Sequence, residues 1–152
     1  MIDQRCSLEA LHVLKLNSSK LFIRYKDHFS KKNFKRQNTH VFSEGVDVSL
    51  SPDFAIYDRV TKKIAGFIKL NFLKKTTVRL TYQQGQLIAG LIKDHLEEQF
   101  EVKFDRKLCV AIDVFTAKVI YAPEEITWEK DKPKLKVAYR EIYNVWPYLN
   151  KN

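Results

Sequence analysis

Glycine and proline are scarce, with four of each in 152 residues. Collagen-like and low-complexity chains carry several times that share, so both classes are excluded and a packed globule is expected. Cysteine is scarcer still. Cys6 and Cys109 lie far apart, which leaves no disulfide framework and points to free thiols in a reducing, cytoplasmic setting. His12, His28, His40 and His95 stand at no metal-ligand spacing, and neither cysteine has a second thiol nearby, so no zinc site is expected. No secretory apolar stretch follows Met1, since Asp3, Gln4 and Arg5 come at once. No apolar run approaches the roughly 20 residues of a membrane span, so a soluble protein without a membrane partner is expected. A phosphate-binding glycine loop, a Gly-x-Ser-x-Gly elbow and a dinucleotide fingerprint are all missing. Acidic residues are outnumbered by basic ones, 18 to 27, for a net charge of +9. That excess favours polyanionic partners and says nothing about fold.

What is present is periodic apolar sequence. Ser7 is placed to cap a helix through SLEALHVLKL, and Asn17-Ser18-Ser19 offers a second start for SKLFIRYKDHF. From Ser30 to His40 the chain is basic, polar and aperiodic, the pattern of an exposed loop. VFSEGVDVSL alternates as one strand through Val46, Val48 and Leu50, and Phe54–Tyr57 and Ile64–Phe72 follow as a hairpin. LTYQQGQLIAGLIKDHLEEQF carries Leu87, Ile88, Leu91, Ile92 and Leu96 at helical spacing. KLCVAIDVF and KVIYAP form a second hairpin about Thr116-Ala117, EEITWEKDKPK reads as an exposed link, and KVAYREIYNVWPYL as a last helix ending near Pro147. The order predicts one α/β (α+β) domain over residues 1–152, with a mixed central β-sheet flanked by helices.

Two charged residues interrupt the apolar hairpin, Asp53 at the start of its first strand and Lys69 deep in its second. If Asp58 faces Ile64, Asp53 falls directly opposite Lys69, with Cβ atoms about 5 Å apart. A one-residue change in loop length would send the two to opposite faces. Pro52-Asp53 opening one strand, Lys69 on the next, and a helix beginning Tyr82-Gln83-Gln84-Gly85-Gln86 together resemble the restriction-endonuclease-like PD-(D/E)XK superfamily. The resemblance implies that fold, with phosphodiester hydrolysis in which Asp53 and a second acid hold Mg or Mn while Lys69 positions water or stabilises charge at the phosphate. The second acid is missing at its usual place, two residues before the lysine, where Phe67 stands. Asn71 is a neutral oxygen at best, and Asp47 or Glu44 is the candidate displaced carboxylate.

Around this hairpin lie two basic clusters. Lys20, Arg24, Lys26, Lys31, Lys32, Lys35 and Arg36 alternate with Phe22, Tyr25, Phe29 and Phe34, while Lys62, Lys63, Lys74, Lys75 and Arg79 flank the strands, with Gln83 close by. The cations are candidate phosphate contacts; the rings are either base-stacking platforms or core. Cys109 in LCVAI reads as a buried apolar residue, and Asp113 as a turn-proximal surface acid or the partner of a base. Trp128, Tyr143, Trp146 and Tyr148 read as packing residues or as a protein-binding cluster. Three functions remain open. The first is a nucleic-acid-associated domain that has lost or impaired hydrolysis. The second is an active metal-dependent nuclease with a displaced acid. The third is a protein-binding adaptor or inhibitor, which requires a contiguous apolar surface patch.

Overall fold

A computed structural model describes residues 4–31, 40–72 and 80–149, with side chains from Leu8 to Tyr148 within those ranges. The chain forms α1 (Gln4–Leu16), α2 (Ser18–Phe22), a 3-10 turn (Ile23–Tyr25), β1 (His28–Lys31), β2 (His40–Ser43), β3 (Val46–Ser49), β4 (Phe54–Asp58) and β5 (Ile64–Asn71). After these come α3 (Tyr82–Phe100), a 3-10 turn (Arg106–Leu108), β6 (Cys109–Asp113), β7 (Lys118–Tyr121) and α4 (Glu125–Leu149). The five-stranded sheet runs β1-β4-β5-β6-β7, antiparallel except for the parallel pair β5–β6, and β2–β3 is a separate ribbon. The mixed sheet flanked by helices is as the sequence pattern predicts. Among the described residues no helix is long and apolar enough to cross a membrane.

Alternation along the strands builds two cores. Ala55, Phe67, Cys109 and Ala111 meet Ala89, Ile92 and Leu96 of α3, while Ile56, Ile68, Val110 and Ile112 meet Leu21 of α2 and Tyr25. β6, covered on both faces, is buried at every position, as a central strand with a parallel neighbour should be. Cys109 is a free, buried thiol, and burial pushes its pKa up, so it remains a neutral packing group. Thr81 caps α3 through a reciprocal capping box with Gln84. Gly66 allows β5 to pass the Leu108 backbone, since a Cβ there would strike its carbonyl oxygen.

Several expectations are corrected. α1 begins at Gln4, so Ser7 lies inside the helix. SKLFIRYKDHF is helical only to Tyr25; its end becomes β1, because pairing with β4 gives His28–Lys31 more hydrogen bonds than a fraying helix end would. Lys31 and His40 lie in strands, and residues 32–39 of the expected loop fall outside the described residues. VFSEGVDVSL is two strands. Glu44 (φ 51°) and Gly45 (φ 81°) make the doubly left-handed turn that suits a two-residue hairpin. EEITWEKDKPK is no link: from Glu125 it belongs to α4, which runs through Pro133 and Pro147. Trp128, buried against Gly90, and Lys132, bridging Asp94 (3.1 Å) and Glu129 (3.1 Å), anchor that first half.

At the far end of α3 the buried Glu97 accepts hydrogen bonds from Lys93 (2.7 Å), Lys103 (3.1 Å) and the Phe104 N–H (2.8 Å), fastening the turn that feeds β6. Burial works to raise its pKa, but these donors outweigh burial and hold it below the usual glutamate range. A carboxylate depressed in the folded state contributes stability above its unfolded pKa and loses it as pH falls through the folded value. Urea titrations across the acid range should therefore show stability falling less steeply with acidification in Glu97→Gln than in the parent; parallel profiles would contradict this role. Gly66→Ala should cost about 1–3 kcal/mol in the same assay at neutral pH, and an unchanged midpoint would mean the close passage is not tight.

Candidate functional site

Asp53 and Lys69 do meet, by a route the sequence pattern did not predict. At the turn, Asp58 Oδ1 accepts from the N–H groups of Val60 (2.9 Å) and Thr61 (2.6 Å), Lys62 adopts φ 59°, and the Asp58 N–H donates to Lys63 O (2.9 Å). Pairing at the turn is thus one residue away from Asp58 opposite Ile64: Tyr57 faces Ile64. A bulge between Ile56 and Tyr57 takes up the difference, restoring Phe54 opposite Ile68, and the Asp53 N–H donates to Ile68 O (2.9 Å). One further step sets Asp53 opposite Lys69. Their side chains stand 3.4 Å apart, each about one-third exposed. Asp53 Oδ2 also accepts from the Leu70 N–H (2.6 Å), so the carboxylate closes the β4 end of the hairpin as well as facing the lysine.

Register places this pair within the fold. Lys69 aligns with Ala111 of β6 and Ala111 with Ile120 of β7, and Ile120 packs directly beneath Gly85 in the first turn of α3. The next row runs Asn71, Asp113, Lys118, and Lys118 Nζ lies 5.7 Å from the centre of the Tyr82 ring. Polar side chains thus gather where the parallel strands end and α3 begins, the end of an α/β sheet at which ligands commonly sit. Asp113 contributes to that row, although sequence reading left it as a turn acid or a base partner. It is turn-proximal, accepting from the Phe115 N–H (3.0 Å), but it is buried and not a surface acid. Only the parallel β5–β6 pairing brings it beside Asn71, and no local pattern encodes that pairing.

The displaced carboxylates lie on the ribbon, engaged with other groups. Asp47 Oδ1 is 3.0 Å from His40 Nδ1, and Glu44 Oε2 is 3.3 Å from Arg140 Nε on α4. Phe67 is wholly buried in the core. Asp53 spends one oxygen on the Leu70 N–H and the lysine, and among the described residues no three His, Cys, Asp or Glu side chains gather to hold a metal ion. The usual place of the superfamily's second acid is thus a core phenylalanine, and both displaced candidates are engaged with other groups.

The basic residues divide. Lys20, Lys26, Lys31, Lys62 and Lys63 are exposed. Lys31 Nζ lies over both Phe29 (5.7 Å) and Tyr57 (5.2 Å), stacked on each other, and Lys62 Nζ lies over Phe29 (5.4 Å). The two sequence clusters are thus brought to one aromatic patch at the sheet edge. Arg24 is different: its guanidinium lies over Tyr121 (5.0 Å) with Nη1 buried, which makes it a packing cation and not a surface contact. Gln83 is exposed in the first turn of α3, whereas Gln84 is committed to the cap. Lys32, Lys35, Arg36, Lys74, Lys75 and Arg79 lie outside the described residues.

Comparison of the chain with protein-family models, with curated proteins and with solved structures finds no match. The geometry therefore carries the functional argument by itself. Asp53 and Lys69 make separable contributions to it. A partly exposed ion pair is worth at most about 1 kcal/mol, so Lys69→Met should barely move the unfolding midpoint. Asp53→Ala also strips an acceptor from the Leu70 N–H and should cost about 1–2 kcal/mol more. Equal losses in the two variants would refute the backbone role of Asp53.

Proposed function

We propose that this domain associates with nucleic acid, with Lys69 meeting a backbone phosphate and without a hydrolytic centre of the superfamily type. The observation that carries this is the Asp53–Lys69 pair, about one-third exposed near the end of β5 on a chain of charge +9. An ammonium group has three N–H donors. At 3.4 Å the Asp53 carboxylate orients Lys69 while leaving donors for an incoming phosphate oxygen. Lys62 and Lys63 at the turn of the hairpin and Lys31 on the adjoining β1 extend the positive charge, and the Phe29–Tyr57 stack offers an apolar surface between them.

The element order, with an aspartate entering one antiparallel strand, a lysine on the next and a capped helix following, supports kinship with the restriction-endonuclease-like fold. The burial of Phe67 and the engagement of Glu44 and Asp47 elsewhere support loss of hydrolysis, because phosphodiester cleavage on that pattern needs two carboxylates at the metal. Contacts of this kind are electrostatic and insensitive to base sequence.

Fluorescence anisotropy with short DNA and RNA oligonucleotides over a salt series tests the proposal. Each lysine–phosphate contact contributes a little under 1 to the slope of log K against log salt, so Lys69→Met should weaken binding and reduce the slope by about that amount. Unchanged affinity and slope would overturn the phosphate role. Cleavage in manganese that Asp53→Ala and Lys69→Ala both abolish would overturn the loss of hydrolysis.

A further inference from the structure

The C-terminal half of α4 is exposed at every position from Glu141 to Tyr148, yet six of those eight residues are Ile142, Tyr143, Val145, Trp146, Pro147 and Tyr148. Trp146 is 57% exposed and Ile142 47%. Pro147 within this last stretch of the helix removes a backbone donor and weakens it, so packing is needed to hold it in place. The tip of the β2–β3 ribbon meets this half of the helix, through Tyr143 against Gly45 and Arg140 on Glu44. Between ribbon and helix lies an open groove of about 690 Å³, with Val46 on one wall and Ile142, Tyr143 and Trp146 on the other.

We propose that this surface pairs with a second copy of the chain, α4 packing antiparallel on its symmetry mate in an isologous dimer. Three observations favour that occupant. Five large apolar or aromatic side chains of this segment are each about half or more exposed, apolar surface on the order of several hundred Å², at the upper end of a monomer's largest patches and approaching the ~800 Å² each partner contributes to a standard interface. Second, the chain carries +9 overall, but residues 137–149 hold a single arginine and a single glutamate, so two identical basic molecules approach here with little local repulsion. An acidic partner, or nucleic acid, would find its charge complement elsewhere. Third, the segment is apolar and aromatic round most of its circumference, the composition that marks homodimer interfaces, so an antiparallel crossing near Val145 sets apolar against apolar. The groove beside α4 then receives side chains of the second copy.

Sedimentation velocity on the full chain from low micromolar to a few hundred micromolar, together with hydrogen exchange at both ends of that range, tests the pairing. The parent should shift from 17.9 kDa to twice that mass, with amides of residues 141–149 gaining protection at the higher concentration. The double variant Ile142→Asp with Trp146→Asp should remain a folded monomer. A parent monomeric throughout would overturn the proposal, as would a dimer that persists in the double variant. A parent dimer formed without protection of residues 141–149 would also overturn it, and that result requires no variant to fold.

Discussion

The parallel pairing of β5 with β6 is the constraint on which the rest depends. It makes β6 a strand covered on both faces, hence the unbroken apolar run Cys109–Ile112, and it requires a crossover, which α3 supplies. It also sets Lys69 beside Ala111 and Asn71 beside Asp113, so that the ends of two strands distant in sequence bring polar groups side by side. Without it, the hairpin would hold an ion pair at its edge and nothing more.

On that frame the Asp53 carboxylate does two jobs at once. It accepts the Leu70 N–H and faces the Lys69 ammonium. The first function is structural and would be worth keeping in a protein with no chemistry; the second holds a cation partly in solvent near the end of β5. A lysine in this row is otherwise hard to explain as packing, since its neighbours two residues away on the same face are the buried Phe67 and the polar Asn71.

The elements built from long periodic runs were legible in the sequence: α3, β4, β5, and the β6–β7 hairpin were all marked by apolar spacing and turn residues. So was the meeting of Asp53 with Lys69, although two compensating departures produced it, a turn displaced by one residue and a bulge that restored the register. No local pattern announces a bulge, because its cause is the fit of the turn to the strands. β1 was read as helix end and loop because HFSK has no period of its own and becomes a strand only when β4 is there to pair with it. The segment read as an exposed link is helix because Trp128 and Lys132 find partners on α3, a tertiary reward that outweighs Pro133. Asp113 was underread for the same reason: its neighbours are set by a crossover and not by sequence proximity.

The central claim is that the row containing Asp53 and Lys69 receives a phosphodiester, and titrating the isotopically labelled protein with a short single-stranded dinucleotide while following backbone amide resonances tests it most directly. Saturable shifts centred on Leu70, with smaller ones at Gln83 in the first turn of α3, are the predicted result. Shifts confined to Phe29, Lys31 and Lys62, or none at Leu70 as the ligand saturates, would contradict it.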